Sequence, residues 1–116
     1  MDFLKRNLID ALVMLSNLRK QQEYYDNVSI ADVPSELISA WFDDGFYLND
    51  EEFKKQFSEK EWEALCEFNN FFEERLERLP ERFEELMKCK MWFEIVNEAK
   101  LTLKIIEDNC SRLNST

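Results

Sequence analysis

The sequence predicts an all-α fold, a compact bundle of four to six mostly antiparallel helices. Three observations lead there. The 116 residues include one Gly and two Pro, too few for the many tight turns of a sandwich or barrel. Hydrophobic residues make up 45% of the chain and aromatics 14%, enough apolar surface to offset chain entropy. Apolar residues also recur at helical rather than alternating spacing in each long segment. A chain of this length is expected to form a single domain, 1–116, around one core.

Residues 3–24 read as one amphipathic helix, with Leu4, Leu8, Ala11, Leu12, Leu15 and Leu18 at helical spacing. Val28–Val33 is a connector. Pro34 suits the first turn of a second helix, 34–43, because its missing N–H is not needed there. Leu37, Ile38, Trp41 and Phe42 mark its apolar side. Gly45, the one glycine, falls where a left-handed C-terminal cap is expected. Asn49 or Asp50 is placed to cap a short helical piece at Glu51–Phe57.

Ser58-Glu59-Lys60-Glu61 has the form of a capping box. A strong helix follows to Leu79, with Trp62, Leu65, Phe68, Phe72, Leu76 and Leu79 on one face. Pro80 must break or kink it, since it removes a donor and clashes one turn back. Arg82–Lys88 continues helically, and Lys88–Met91 is a second candidate break. Trp92–Asn109 is the last helix. Trp92, Ile95, Val96, Ala99, Leu103 and Ile106 form one face, with Leu101 and Ile105 on another. Such a helix is expected to be buried on two sides and central in the bundle. Ser111–Thr116 is expected to fray.

The charge is concentrated. Residues 31–87 hold 17 Asp+Glu against 6 Lys+Arg, a balance of −11, while the flanks nearly cancel, so the middle accounts for the formal net charge of −10. A field of that kind acts on partners rather than on the fold. It points to a basic protein partner and away from nucleic acid. The start of the chain, Met1-Asp2-Phe3-Leu4-Lys5-Arg6, does not read as a signal peptide, because Asp10, Arg19 and Lys20 interrupt the apolar stretch. No run approaches a membrane span. The three cysteines, Cys66, Cys89 and Cys110, are odd in number and lack a C-x-x-C. They are expected to be reduced thiols packed in helices. A cytoplasmic, soluble protein without membrane contact is expected.

Much chemistry is missing. The chain has no His, which removes the commonest general base and metal ligand and every Ser-His or Cys-His arrangement. One glycine cannot build a phosphate-binding loop. Asn49-Asp50-Glu51-Glu52 lacks the spacing of a calcium loop. The pairs Asp43-Asp44 and Glu73-Glu74 would serve acid–base catalysis only if burial separated their pKa values. No catalytic residue, cofactor or metal is expected, and the chain is read as a non-enzyme.

Two constellations are candidates for binding. Trp41-Phe42-Asp43-Asp44-Gly45-Phe46-Tyr47 places four aromatics and two acids at a helix end. Aromatic anchors beside carboxylates suit a basic partner, so Trp41, Asp43, Asp44 and Tyr47 are candidate contacts. The competing reading puts Trp41, Phe42 and Phe46 in the core. The other candidate is Glu59, Glu63 and Glu67, four residues apart on one helix face. Like charges so spaced repel by about 0.2–0.5 kcal/mol per pair, a strain that a cationic ligand would relieve. An ordinary solvated face is the competing reading. A third acidic cluster, around Pro80, is diluted by Arg75, Arg78 and Arg82. Glu74–Arg78 and Glu84–Lys88 have the favourable orientation for intrahelical pairs, so it is read as structural.

One more feature is a resemblance. Pro34-Ser35-Glu36-Leu37, then Trp41-Phe42-Asp43-Asp44, then Phe57-Ser58-x-x-Glu61-x-x-x-Leu65-x-x-Phe68-Asn69, then Arg75-Leu76-x-x-Leu79-Pro80 look like small acidic helical proteins of bacteria. In general character the segment is similar to immunity proteins of polymorphic toxin systems, including contact-dependent growth inhibition and colicin-type pairs. The resemblance covers less than half of the chain. It implies a cytoplasmic protein that binds one cognate toxin domain, often a basic nuclease, and blocks its active site or an adjacent exosite. No residue is carried over by motif, so the candidate contacts rest on the physical reading alone. The alternative function is a dimeric helical adaptor or regulator whose acidity serves solubility. A mimic of nucleic-acid charge and a small enzyme are the remaining readings.

Overall fold

The computed structural model describes residues 3–28 and 32–114, with side chains to Asn109. Among these, seven α-helices and one 3-10 turn are formed, and no strand. The helices are α1 (Phe3–Leu15), α2 (Leu18–Asn27), α3 (Val33–Phe42), α4 (Glu51–Lys54), α5 (Glu59–Arg75), α6 (Phe83–Leu86) and α7 (Lys90–Asn114). The all-α class is as expected; the count exceeds four to six, with α4 and α6 as single turns.

The single helix expected over 3–24 is two. Asn17 is extended, at φ −137 and ψ 99, and its side chain accepts a hydrogen bond from the Lys20 amide at 3.0 Å. It therefore begins a new helix instead of continuing the old one. At the end of α1, Met14 O already accepts from the Asn17 amide at 3.3 Å, and Gln21 reaches both it and the otherwise open Leu15 carbonyl. Its Nε2 donates to Met14 O at 3.0 Å and Leu15 O at 3.2 Å. Its Oε1 accepts from Trp92 Nε1 at 2.9 Å. Both Gln21 and Trp92 are fully buried.

α2 is otherwise polar, with Gln21 its one buried residue. Two tyrosines dock its other end. The Tyr25 ring stacks on Phe83, centroids 4.2 Å apart, and its hydroxyl donates to Glu84. Tyr24 donates to Glu36 Oε2 at 2.5 Å. Half of the expected connector, residues 29–31, lies outside the described residues.

Asp32 caps α3, with Pro34 in the first turn. Gly45 departs from expectation: no described glycine has a positive φ. The residue is needed for space. A Cβ there would lie 2.5 Å from Ala40 O, 3.3 Å from the Ala11 Cβ and 3.4 Å from the Trp41 Cα. Gly45 lets the chain fold tightly back on α3 where it meets α1.

Asp50 caps α4, accepting from the Phe53 amide at 3.1 Å. The capping box of α5 forms in both directions: Ser58 N donates to Glu61 Oε1 at 2.7 Å, and Glu61 N to Ser58 Oγ at 3.1 Å. Leu65, Phe68 and Phe72 of the expected face are buried, while Trp62, Leu76 and Leu79 are half-buried. Past Arg75 the helix tightens into a 3-10 turn, Leu76–Arg78. Leu79 then turns extended, at φ −78 and ψ 143, as the residue before a proline must. The second break falls at 87–89, just before α7.

α7 packs against both α1 and α5, and α1 also meets α2 and α3. At 25 residues and about 1.5 Å per residue, α7 is about 38 Å long, against a longest molecular extent of 44 Å. Trp92, Ile95, Val96, Ala99 and Ile106 are buried. The second apolar face of α7 is not covered: Leu101 is 58% exposed and Ile105 half-buried. The frayed end expected from Ser111 is helical through Asn114; residues 115 and 116 lie outside the described residues.

Two substitutions test this architecture. Gln21→Ala removes three hydrogen bonds, two of them buried, and strands the Trp92 N–H, so it should cost about 2–4 kcal/mol, read as a lower urea midpoint at unchanged slope. Gly45→Ala poses two opposed effects. Lost chain entropy in the unfolded state would stabilise by about 0.4–1 kcal/mol. Overpacking against the rigid Ala40 carbonyl costs about 1–3 kcal/mol and should win. A midpoint equal to or above that of the parent would show that the turn can widen freely.

Candidate functional site

The interior around residues 41–62 is an aromatic cluster. Phe46 stacks on Trp41 at 5.1 Å, and Phe68 meets Trp41 edge-on at 4.8 Å. Phe53 takes Tyr47, Phe57 and Trp62 at 5.4, 5.1 and 6.0 Å. Trp41 is fully buried, and its Nε1 donates to Asn69 Oδ1 at 3.0 Å. This corrects its candidacy as a partner contact: its surface and its one polar atom are both used inside the fold. Phe46 is likewise core. Phe42 is half-buried against Phe72, centroids 4.9 Å apart.

The other candidates lie at the surface. Asp43 and Asp44 are exposed at the C-terminal end of α3, where the helix dipole is negative and carboxylates are disfavoured. Tyr47 is half-buried, and its hydroxyl donates to Asp44 O at 3.3 Å. Glu59, Glu63 and Glu67 are exposed on α5. Glu59 and Glu63 line a cleft of about 810 Å³ with Phe57 and Trp62, but Lys54 and Lys55 line it too. The cleft is thus of mixed charge, and Lys54 Nζ sits 5.9 Å from the Trp62 ring.

The acidic middle is a surface property. Of the acids in 32–87, Glu61 is buried and the others are exposed. Some have structural work. Asp32 and Asp50 cap helices. Glu36 and Glu84 accept from tyrosines. Glu52 pairs with Lys55 and Glu74 with Arg75. The last replaces the expected Glu74–Arg78 pair: Arg78 Nη2 donates to the Glu74 carbonyl. Nor does Glu84 pair with Lys88, since its carboxylate faces Tyr25. Asp43, Asp44, Glu59, Glu63 and Glu67 have no side-chain partner among the described residues.

A second acidic place was not visible from sequence. Asp10 of α1, Glu36 of α3 and Asp44 line a groove of about 390 Å³ with Tyr24. Its apolar lining includes Met14, Leu37 and Ala40. Asp10 lies outside the acidic middle, and nothing local links it to the others. Fold contacts between α1 and α3 bring them together.

No three or more His, Cys, Asp and Glu among the described residues are arranged to hold a metal ion. No described helix is long and apolar enough to cross a membrane. Cys66 and Cys89 are free, half-buried thiols packed on the core. Burial pushes the Cys66 thiol up, against an opposing effect of Lys54, and so favours the protonated thiol over the thiolate. The Cys110 side chain lies outside the described residues.

The tyrosine–carboxylate contacts make a pH-dependent prediction. The Tyr25 hydrogen bond, helped by the backbone N–H of Glu84, holds the Glu84 carboxyl below the ordinary range. The same bond, with burial and the Glu84 charge, raises the Tyr25 phenol. The Glu84 contribution is present above the ordinary carboxyl pKa and lost as pH falls through the lowered value. The Tyr25 contribution is present below the ordinary phenol pKa and lost as pH rises through the raised value. Tyr25→Phe should therefore move the Glu84 titration upward in a carbon-13 NMR experiment. An unmoved titration would show that the bond is not made in solution.

The chain matches no protein-family model, no curated protein and no solved structure.

Proposed function

We propose that the chain is a non-catalytic, cytoplasmic bacterial inhibitor of the immunity-protein kind, which binds a basic toxin domain through its acidic surface. One observation carries this reading: the exposed carboxylates of the middle segment that have no partner among the described residues. Asp43 and Asp44 sit against the negative end of a helix, and Glu59, Glu63 and Glu67 repel one another along α5. Each is a small local cost that a cationic partner would offset. Tyr47 and Trp62, half-buried beside these acids, are the aromatic contacts left to a partner once Trp41 belongs to the core.

The mechanism is electrostatic steering followed by docking over the toxin's active site or an adjacent exosite. Steering raises association rates by about 10–10³-fold and fades with salt. A second reading, a helical adaptor that pairs with itself, is favoured by the uncovered Leu101 on α7.

Affinity capture of the tagged protein from its native lysate at low salt tests the first reading. One stoichiometric basic partner, identified as a toxin domain, is expected. Recovery of the protein alone, with a dimer in sedimentation, would move the weight to the adaptor. With the partner in hand, Asp43→Asn, Asp44→Asn, Glu63→Gln and Glu67→Gln combined should slow association about tenfold at low salt and flatten its salt dependence. An unchanged salt dependence would place the steering surface elsewhere.

A further inference from the structure

Resting on that functional reading, we infer that the groove between α1, α2 and α3 receives a Lys or Arg side chain from a basic segment of the partner protein. The groove has the two properties such a side chain needs. Part of its lining is apolar. Ala11, Met14, Leu37 and Ala40 supply that part, and they suit the aliphatic stem of a long basic residue.

Its rim carries one sign of charge. Asp10, Glu36 and Asp44 line the groove, and among the described residues no Lys or Arg does. The ion pairs among the described residues are Arg19–Glu23, Lys55–Glu52 and Arg75–Glu74, so all three rim acids lack a cation. Arg6, one turn before Asp10 on α1, makes no ion pair with it. Tyr24 donates to Glu36 Oε2, which holds that carboxylate in place and leaves Oε1 to another donor. At about 390 Å³ the space is at the small end of ligand pockets, about 300–1,000 Å³. That suits one side chain rather than a folded element. The cleft at α4 and α5 is less suited to a cation, because Lys54 and Lys55 already line it.

The groove thus names the face of the molecule that docks. Asp44 is the one carboxylate shared with the acidic segment at the end of α3. The unpaired acids of α5 would steer, and the groove would seat the anchor.

The test is a nitrogen-15 NMR titration of the whole chain with the peptide acetyl-Leu-Arg-Leu-Arg-Leu-amide. The control is the same peptide with citrulline for arginine, which keeps the shape and removes the charge. The amides of Ala11, Leu37, Ala40 and Asp44 should shift with the arginine peptide and not with the control. Asp10→Asn, Glu36→Gln and Asp44→Asn combined should weaken binding about tenfold. All three positions tolerate the change by geometry: Asp10 and Asp44 are exposed and unpaired, and Gln at 36 still accepts from Tyr24. Glu94→Gln and Glu107→Gln combined, at exposed α7 positions outside the groove, should leave the affinity within about twofold, as expected of independent sites.

Shifts that cluster on α5 instead would overturn the groove and leave the inhibitor reading standing. Equal binding of the citrulline peptide, or no binding of either, would overturn the groove as a cation seat. If the arginine peptide seats as expected but lysate capture returns no basic protein, the inhibitor reading fails and the groove remains.

Discussion

The fold depends on one buried amide. Gln21 reaches the Met14 and Leu15 carbonyls at the end of α1 and accepts from the Trp92 indole on α7. The first contact allows the chain to turn between α1 and α2 without stranding the Leu15 carbonyl in the interior. The second ties that turn to the longest helix. Buried polar groups without partners cost about 1–3 kcal/mol each, so a different residue at 21 would leave two sites unsatisfied at once. The position of α2, and with it the Tyr24 wall of the groove, follows from this residue.

The same solution recurs at α3. Trp41 and Trp92 are the two fully buried tryptophans, and each gives its N–H to a side-chain amide, Asn69 and Gln21 respectively. A buried indole is a large apolar body with one donor that must be met. Here both donors are met by neutral amides rather than carboxylates. Glu61, the buried acid of the middle segment, is held by the amide of Ser58 in the capping box. The aromatic interior therefore sends the other acids of that segment to the surface, where water solvates them. The charge of the middle is an outcome of the core as much as of composition.

A surface of that kind separates two jobs. Acids that cap helices or meet tyrosines maintain the fold, and the unpaired ones at the end of α3 and along α5 supply the field. The mixed charge of the cleft at α4 and α5 and the single sign of the groove between α1 and α3 are differences of placement, not of content. Long-range attraction depends on summed charge, whereas seating one cation depends on which carboxylates share a cavity.

The sequence by itself determined the class of fold, the Ser58–Glu61 start of α5, the break at Pro80 and the acidity of the middle. Each is set by chemistry within a few residues, namely capping, a missing N–H, helical spacing and composition. It also left Trp41 open between core and surface, and the structure closes that question through Asn69, 28 positions away. The split of the first helix was partly legible, since Asn17 is a capping residue, but its partner Trp92 is 71 positions away. Gly45 was legible as special and misread in kind: its need comes from the Ala40 carbonyl and Ala11, not from its own dihedrals. Asp10 joins Glu36 and Asp44 through the contact of α1 with α3. Only tertiary structure decided these matters, because cavities, clashes and shared carboxylates arise between helices, and neighbours in space carry no mark in the local pattern.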